Sequence, residues 1–257
     1  MGLVFFVALL VIKVKILLKQ FVNWFPIALT KSEAIDRNTY RIIHQVCEPK
    51  SVCVDVGANK GRILQMMINA APGATHIAYE PLPKMYNLLI RKFASAARIY
   101  KIALTDEKGL SPFYHTREDT SYSGFKKRDY PRKFHLEKLE VATDRMDNLI
   151  GEDIKVALIK IDVEGAEYKV IKGATETIKR CKPVVIFEFG QGGSDEYDVS
   201  PEMMWDYFTK TISYRIYTLT GFLKKRKSLQ KKKFIKIYNN GQIFYFVGTP
   251  HVMPNKN

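Results

Sequence analysis

The stretch Val54-Asp-Val-Gly-Ala-Asn-Lys-Gly61 joins an apolar run to a glycine-rich turn, and this junction decides the fold. The run SVCVDV, residues 51–56, has the length and composition of a buried β-strand. Gly57 and Gly61 allow the backbone to turn sharply, and RILQMMINAA, residues 62–71, has the apolar spacing of a helix. A strand that passes through such a turn into a helix is the first unit of an α/β sheet.

The alternation of apolar runs and helical patterns continues along the chain. It predicts further strands at 76–80, 97–104, 156–163, 183–189, 214–219 and 243–248, a shorter one at 139–146, and helices at 83–94, 166–180 and 201–211. The prediction is an α/β fold with a mostly parallel seven-stranded sheet and helices on both faces. In such sheets a ligand binds beyond the carboxyl ends of the strands.

Acidic residues follow the strands at this predicted edge. Glu80 ends the second strand, about 20 residues after the glycine turn, where an acid is placed to accept hydrogen bonds from ribose hydroxyls. Asp162 and Glu188 end two later strands. The turn has the pattern G-x-x-x-G rather than G-x-G-x-x-G, and the chain has no G-x-x-x-x-G-K-[ST] motif, which argues against a P-loop nucleotidase.

Several segments occur in the order and spacing of a known family. They are VDVGANKG (54–61), YEP (79–81), KIDVEGAE (160–167), VIKGA (170–174) and PVVIFE (183–188). Over roughly residues 50–190 the chain resembles the FkbM methyltransferases. The resemblance implies a Rossmann-like methyltransferase fold, S-adenosylmethionine as methyl donor, and a small-molecule or glycan acceptor whose hydroxyl, often on a sugar, receives the methyl group.

The resemblance also implies a set of cofactor-binding residues. These are Asp55, Gly57, Ala58, Asn59 and Gly61 at the methionine end, Glu80 and Pro81 at the ribose, Ala103 and Leu104 beside adenine, and Ser121 in a serine-rich loop. Ser123 belongs to the same loop and is a further candidate. Lys60 stands where many relatives carry a smaller or apolar residue, so the rim of the pocket is expected to be more basic.

An alcohol is a poor nucleophile, so a base or a metal ion should assist methyl transfer to it. Asp162 is the candidate base and Glu188 the second catalytic carboxylate. The same pair offers oxygen ligands to a divalent cation, but the sequence shows no third ligand, and a metal site is not favoured. Glu164 and Glu167 start a helix and are interpreted as structural.

The formal net charge of +15 is concentrated in short segments. Residues 126–133 contain five basic residues, and residues 224–236 contain eight and no acid. Such segments suit an anionic partner or surface, or are simply solvated loops. A nucleic-acid-directed methyltransferase is an alternative, with Phe222, Phe234 and Tyr238 stacking on bases, although no known RNA-binding signature is present.

The predicted organisation is an apolar segment at 1–25, a helical lead-in at 26–50, and a methyltransferase domain at 51–250 with a basic insertion at 224–236. Residues 1–25 are expected to form a helix at a membrane interface or packed on the domain. Three widely spaced cysteines indicate a reducing compartment, so the predicted location is cytoplasmic, either peripheral to or N-terminally anchored at a membrane. A non-catalytic, membrane-associated anion-binding protein is a second alternative.

Overall fold

The computed structural model describes residues 30–128 and 133–251. The chain divides into two units, residues 1–37 and 38–257, and the strands belong to the second. The strands are β1 (Val52–Val56), β2 (His76–Tyr79), β3 (Ala97–Tyr100), β4 (Ala103–Leu104), β5 (Gly109–Thr116), β6 (Leu136–Asp144), β7 (Val156–Ile161), β8 (Val184–Glu188), β9 (Tyr214–Thr218) and β10 (Tyr245–Pro250). The α-helices are α1 (Lys31–Val46), α2 (Arg62–Ala70), α3 (Pro83–Phe93), α4 (Met146–Leu149), α5 (Glu167–Gly173), α6 (Thr175–Cys181), α7 (Pro201–Asp206), α8 (Leu219–Leu223) and α9 (Lys231–Asn240).

Seven of these strands form one sheet in the order β3-β2-β1-β7-β8-β10-β9. All neighbours are parallel except for β10, which runs antiparallel to both β8 and β9. The predicted mostly parallel seven-stranded sheet is therefore confirmed. Because β1 and β7 are neighbours and Val56 pairs with Ile161, the residues that follow these two strands lie side by side.

Apolar side chains cover both faces of the sheet. Successive strand residues point to opposite faces, and in β2 Ile77 and Tyr79 join one buried cluster while Ala78 joins another. The first cluster contains residues of α5, α6 and α7, and the second contains Leu64 of α2 and Leu89 of α3. Helices therefore lie on both faces, as predicted.

The strand predicted at 97–104 is wrong as a single element. It ends at Tyr100, which pairs with Tyr79, and Ala103–Leu104 then pairs with β6 in a separate three-stranded sheet of order β4-β6-β5. β6 is also longer at its start than the predicted 139–146 and ends at Asp144. The break turns Ala103 and Leu104 away from the main sheet and towards the carboxyl ends of β1 and β2.

The helix predicted at 166–180 is divided at Ala174 into α5 and α6. A side chain at Gly173 would place its Cβ 2.0 Å from the carbonyl oxygen of Thr105, so the helix passes very close to the main chain here. Thr175 Oγ1 then donates to the carbonyl oxygen of Lys172 at 2.7 Å. A threonine that bonds back to the preceding turn competes with regular helical bonding, which accounts for the break.

The lysine-rich stretch 224–236 is not a wholly solvated loop, because its second half begins helix α9. Phe234 is fully buried, and its ring centroid lies 4.9 Å from that of Phe246 and 5.6 Å from that of Trp205. Tyr238 is also buried. The prediction that Phe234 and Tyr238 stack on nucleic-acid bases is therefore wrong. The last strand spans residues 245–250 rather than the predicted 243–248.

The helical lead-in contains α1, which begins after a reciprocal cap. Thr30 Oγ1 accepts from the Glu33 amide at 3.1 Å, and Glu33 Oε2 accepts from the Thr30 amide at 3.3 Å. The predictions for residues 1–25 fall outside the described residues. Among the residues that are described, no helix has the length and apolar character needed to cross a membrane.

Candidate functional site

A cavity of about 330 Å³ opens beyond the carboxyl ends of β1, β2 and β7. Ten of the twelve predicted site residues line it: Asp55, Gly57, Ala58, Asn59, Glu80, Pro81, Ala103, Leu104, Ser121 and Asp162. Gly61 and Glu188 are not part of the lining. Lys60 does line the cavity and adds a basic group to it, as the sequence suggested.

The glycine turn is held close to both neighbouring strand ends. The amides of Gly57 and Ala58 donate to the carbonyl oxygen of Tyr79 at 3.0 and 3.1 Å. Gly57 has φ of 76°, and a Cβ there would lie 2.0 Å from the carbonyl oxygen of Asp162. Gly61, with φ of 78°, is required for packing instead, because a Cβ would lie 2.4 Å from the Phe93 ring.

Asp55 is a buried acid whose two carboxylate oxygens have no hydrogen-bond partner of normal geometry within the described ranges. Burial raises its pKa to about 6, while the charge of Lys160 and the nearby Leu64 amide act in the opposite direction. An unpaired buried carboxylate is costly for the fold. Since Asp55 lines the cavity, its carboxylate can accept hydrogen bonds from a ligand that binds there.

Glu80 is held rigidly at the end of β2. Its Oε2 accepts from the Asn59 amide at 2.8 Å and its Oε1 accepts from the Leu82 amide at 2.9 Å. Burial raises the pKa of Glu80 to about 7, although these two amides oppose the shift. Each carboxylate oxygen has a further lone pair, so Glu80 can still accept hydrogen bonds from a ligand in the cavity.

The opposite wall of the cavity combines apolar side chains with the serine-rich loop. Ala103, Leu104 and Phe113 supply the apolar surface. Thr120 Oγ1 donates to Asn59 Oδ1 at 2.8 Å, which ties this loop to the glycine turn, and Ser121 Oγ donates to Asp119 Oδ1 at 2.6 Å. His115 and His135, which flank this loop in the sequence, do not line the cavity.

Asp162 is fixed from two sides. The ammonium of Lys160, itself buried within β7, donates to Asp162 Oδ2, and Tyr245 Oη donates to the same oxygen at 2.6 Å. Burial alone would raise the pKa of Asp162, but the charge of Lys160 and the hydrogen bonds from Glu188, Lys160 and Tyr245 lower it to about 2. Asp162 is therefore ionised and oriented.

Asp162, Glu164 and Glu188 form a carboxylate cluster, with oxygens that all lie within 4.8 Å of one another. Burial and the charge of Asp162 raise the pKa of Glu188 well above its ordinary value and that of Glu164 to about 8, although the paired guanidinium of Arg128 opposes the second shift. The cluster therefore retains protons near neutral pH. It also satisfies the geometric requirement for three cation ligands, but Lys160 and Arg128 already provide the balancing positive charge.

The cluster lies between two cavities. Asp162 and Glu164 line the first, whereas Glu188 and Arg128 line a second cavity of about 190 Å³ together with Phe244. Since Glu188 is hydrogen-bonded to Asp162, the two cavities share one charged wall.

Glu167 has a structural role, as the sequence suggested. Its Oε1 accepts from the amides of Val163 and Gly165 at 2.9 and 3.2 Å, which braces the loop after β7. Glu164, by contrast, belongs to the carboxylate cluster, and the sequence interpretation missed its part there. Its φ of 60° is the left-handed conformation, and the following Gly165 was the signal for an unusual turn.

Lys160 and Tyr245 were also missed. The signal for Lys160 was a lysine inside an otherwise apolar strand. A buried ammonium needs a carboxylate partner, and residues two apart in a strand lie on the same face, which designates Asp162. Tyr245 gives no comparable signal, because its contact depends on the antiparallel pairing of β10 beside β8.

The strand order and the cavity beyond β1 define a Rossmann-like fold of the methyltransferase type. A solved structure described as a putative rRNA-methylase from Clostridium thermocellum has this fold, with a TM-score of 0.50 at 10% identity over 89% of this chain and 100% of that chain. The model of the methyltransferase FkbM domain matches residues 55–237. The chain belongs to the FkbM methyltransferase family, which confirms the resemblance seen in the sequence.

Two curated relatives show the same similarity at the level of sequence. The 2-O-methyltransferase NoeI of Sinorhizobium fredii is 25% identical over 55% of this chain and 65% of its own length. The 31-O-demethyl-FK506 methyltransferase FkbM of Streptomyces tacrolimicus is 27% identical over 50% of this chain and 61% of its own length. The chain thus spans less than two thirds of each of these relatives.

Proposed function

We propose that this chain transfers the methyl group of S-adenosylmethionine to a hydroxyl of a sugar, a glycan or a related small molecule. The observation that carries the proposal is that a single cavity is lined by the glycine turn and Glu80 on one side and by the carboxylate cluster at Asp162 on the other. Membership of the FkbM family supports the methyl transfer. The names of both relatives specify an oxygen as the methylated atom, which supports a hydroxyl acceptor.

The residues of the first cavity fit this cofactor. S-adenosylmethionine has an amino group and ribose hydroxyls, which are hydrogen-bond donors, and the buried carboxylates of Asp55 and Glu80 are acceptors. The absence of a side chain at Gly57 leaves the turn open to close approach. Ala103 and Leu104 offer an apolar surface to the base. The bound cofactor supplies an electrophilic methyl group on a positively charged sulfur.

The chain's own contribution is to orient the acceptor and receive its proton. We assign proton acceptance to the carboxylate cluster as a unit, because its three acids have oxygens within 4.8 Å of one another and interacting acids share their protons. Asp162 alone, with its pKa lowered to about 2, is a weak base, whereas Glu164, with its pKa raised to about 8, matches neutral conditions better. Lys160 and Tyr245 keep Asp162 ionised and directed, so that it can accept a hydrogen bond from the acceptor hydroxyl. The second cavity, beside Glu188, is the proposed acceptor side.

The first test is calorimetric titration of the full chain with S-adenosylmethionine. Asp55→Asn and Glu80→Gln should each weaken binding by about tenfold or more, since a charge-assisted hydrogen bond contributes on the order of 1.5–3 kcal/mol. Asparagine has nearly the shape of aspartate and removes a buried charge, so Asp55→Asn should keep most of its thermal stability. Glu140→Gln is the matched control, because Glu140 is exposed on β6, and it should bind like the parent. Absence of saturable binding by the folded parent chain would refute the proposal.

A further inference from the structure

A third cavity, of about 330 Å³, lies at the end of β9 and is strongly basic. Arg226, Lys227 and Lys233 line it together with the amide side chains of Asn240 and Gln242, and we call it the basic cavity. Its lining contains no aspartate or glutamate. Three cations that converge on one concave surface with neutral donors make an environment suited to an anion.

Acidic residues of the described ranges do not balance the positive charge of the basic cavity. Arg226, Lys227 and Lys233 form no ion pair with any acid in the described parts of the chain, whereas the adjacent Lys231 pairs with Asp206 at 2.7 Å. Like charges that lie close together repel one another, and this repulsion raises the free energy of the folded chain. A bound anion would remove this repulsion.

Helix α9 adds to the positive electrostatic potential at the basic cavity. Its first turn consists of three lysines, 231–233, and its N-cap residue, Gln230, provides no side-chain hydrogen bond to the free amides. Helix N-termini favour acids and disfavour bases, because the helix dipole is positive there. The sequence therefore places lysines where they oppose helix stability. An anion bound between the start of α9 and Arg226 would offset this unfavourable interaction.

The basic cavity lies at the same edge of the sheet as the carboxylate cluster. Phe246 of β10 pairs with Phe187 on one side and with Thr218 on the other, and Thr218 lines the basic cavity. Two strand spacings amount to about 10 Å. Along the chain, Gln242 lines the basic cavity, Phe244 lines the cavity beside Glu188, and Tyr245 donates to Asp162. One short segment thus connects all three places.

We propose that the basic cavity binds a phosphate or diphosphate group, and that this group belongs to the methyl acceptor. The phosphate would be held by Arg226, Lys227 and Lys233, about 10 Å from the β8 strand end that carries Glu188. The acceptor is then a phosphorylated saccharide, either free or linked to a lipid. Assignment of the group to the acceptor rests on the proposed function, but anion binding by the basic cavity does not.

The test is calorimetric titration of the full chain with inorganic pyrophosphate at about 0.15 M salt, where the Debye length is about 8 Å, with and without saturating S-adenosylmethionine. The double variant Lys227→Gln/Lys233→Gln should lose affinity by about tenfold or more, as expected when charge-assisted contacts are removed. The matched control is Lys224→Gln/Lys236→Gln, which removes the same charge from exposed residues of the same stretch that neither line the basic cavity nor lie in the first turn of α9. The control should lose less than about twofold, because exposed charges that do not line the cavity are largely screened by solvent and salt.

Three results would overturn the proposal: no saturable binding, equal loss in both double variants, or competition between pyrophosphate and S-adenosylmethionine. The last would place the anion in the first cavity. A parallel experiment with phosphatidylcholine vesicles containing phosphatidic acid distinguishes the source of the phosphate. If both double variants lose vesicle binding equally while pyrophosphate does not bind, the lysines serve a membrane surface and the proposal is wrong. Pyrophosphate binding by a chain that fails to bind S-adenosylmethionine would refute the proposed function and leave the anion site standing.

Discussion

Gly57 is the residue at which backbone conformation and close packing coincide. Its φ of 76° is unfavourable for a side chain, and a Cβ would lie 2.0 Å from the carbonyl oxygen of Asp162. Gly57→Ala therefore has to push apart the ends of β1 and β7, which form the floor of the first cavity. We expect a loss of about 3 kcal/mol or more in the free energy of unfolding, measured by urea denaturation.

Gly192 provides the matched control for this substitution. Its φ of 79° is nearly the same, but a Cβ there would meet nothing within 4 Å. Gly192→Ala should therefore cost only the left-handed conformation, about 1 kcal/mol. Equal losses in the two variants would mean that the close approach of Gly57 to Asp162 contributes nothing to stability.

Individual site residues were predictable where a strand end and its turn lie next to each other in the sequence. Asp55 lies near the end of a mostly apolar strand, and Glu80 and Asp162 directly follow such strands. The partner of Asp162 on β10 was not predictable, because Tyr245 is 83 positions away in the sequence and reaches Asp162 only through the pairing of β10 with β8. Local patterns predict which residues reach the sheet edge, and long-range pairing decides which of them touch.

Helix α9 is the element whose nature the sequence obscures most. Charged residues dominate 224–236, and the apolar residues that anchor the helix, Phe234 and Tyr238, are four apart on one face. Phe234→Ala should lower the free energy of unfolding by about 3–5 kcal/mol, since a fully buried ring is removed. Thermal and urea unfolding of the purified chain measure this loss.

Lys236→Ala is the control within the same helix. Lys236 is exposed, so its removal should change stability by less than about 0.5 kcal/mol. If Phe234→Ala were equally mild, α9 would not be packed on the core, and the basic cavity that it borders would lose its structural basis.

Strands and helices with a clear apolar pattern were predicted from the sequence. The prediction failed where a segment leaves one sheet and pairs in another. β1, β2, β7 and β8 are nearly as predicted because each is a mostly apolar run in a buried parallel sheet. The run 97–104 is equally apolar, yet it leaves the main sheet after Tyr100. The composition of the run does not show where the chain passes from one sheet to the other, because both sheets bury the same residue types.

Over the whole molecule, the buried acids of the site set the pH dependence of stability. Burial raises the pKa values of Asp55, Glu80, Glu164 and Glu167, so the folded chain holds protons that the unfolded chain releases above its ordinary carboxyl pKa of about 4. For such groups the stabilising contribution is complete below the unfolded pKa and is lost as pH rises through the folded pKa. The folded chain should therefore become less stable between pH 4 and pH 8 from these groups alone.

Glu164 isolates this effect, because its pKa is raised to about 8. Between pH 7 and pH 9 it should release its proton in the folded chain, and its contribution to the free energy of unfolding should fall by on the order of 1 kcal/mol. Urea unfolding at both pH values should show a steeper decline for the parent chain than for Glu164→Gln, which has no proton to release. Glu152→Gln, at an exposed position, should follow the parent. Parallel declines in the parent and Glu164→Gln would contradict a pKa of about 8 for Glu164, and with it the choice of Glu164 as the acid of the cluster whose proton affinity suits neutral conditions.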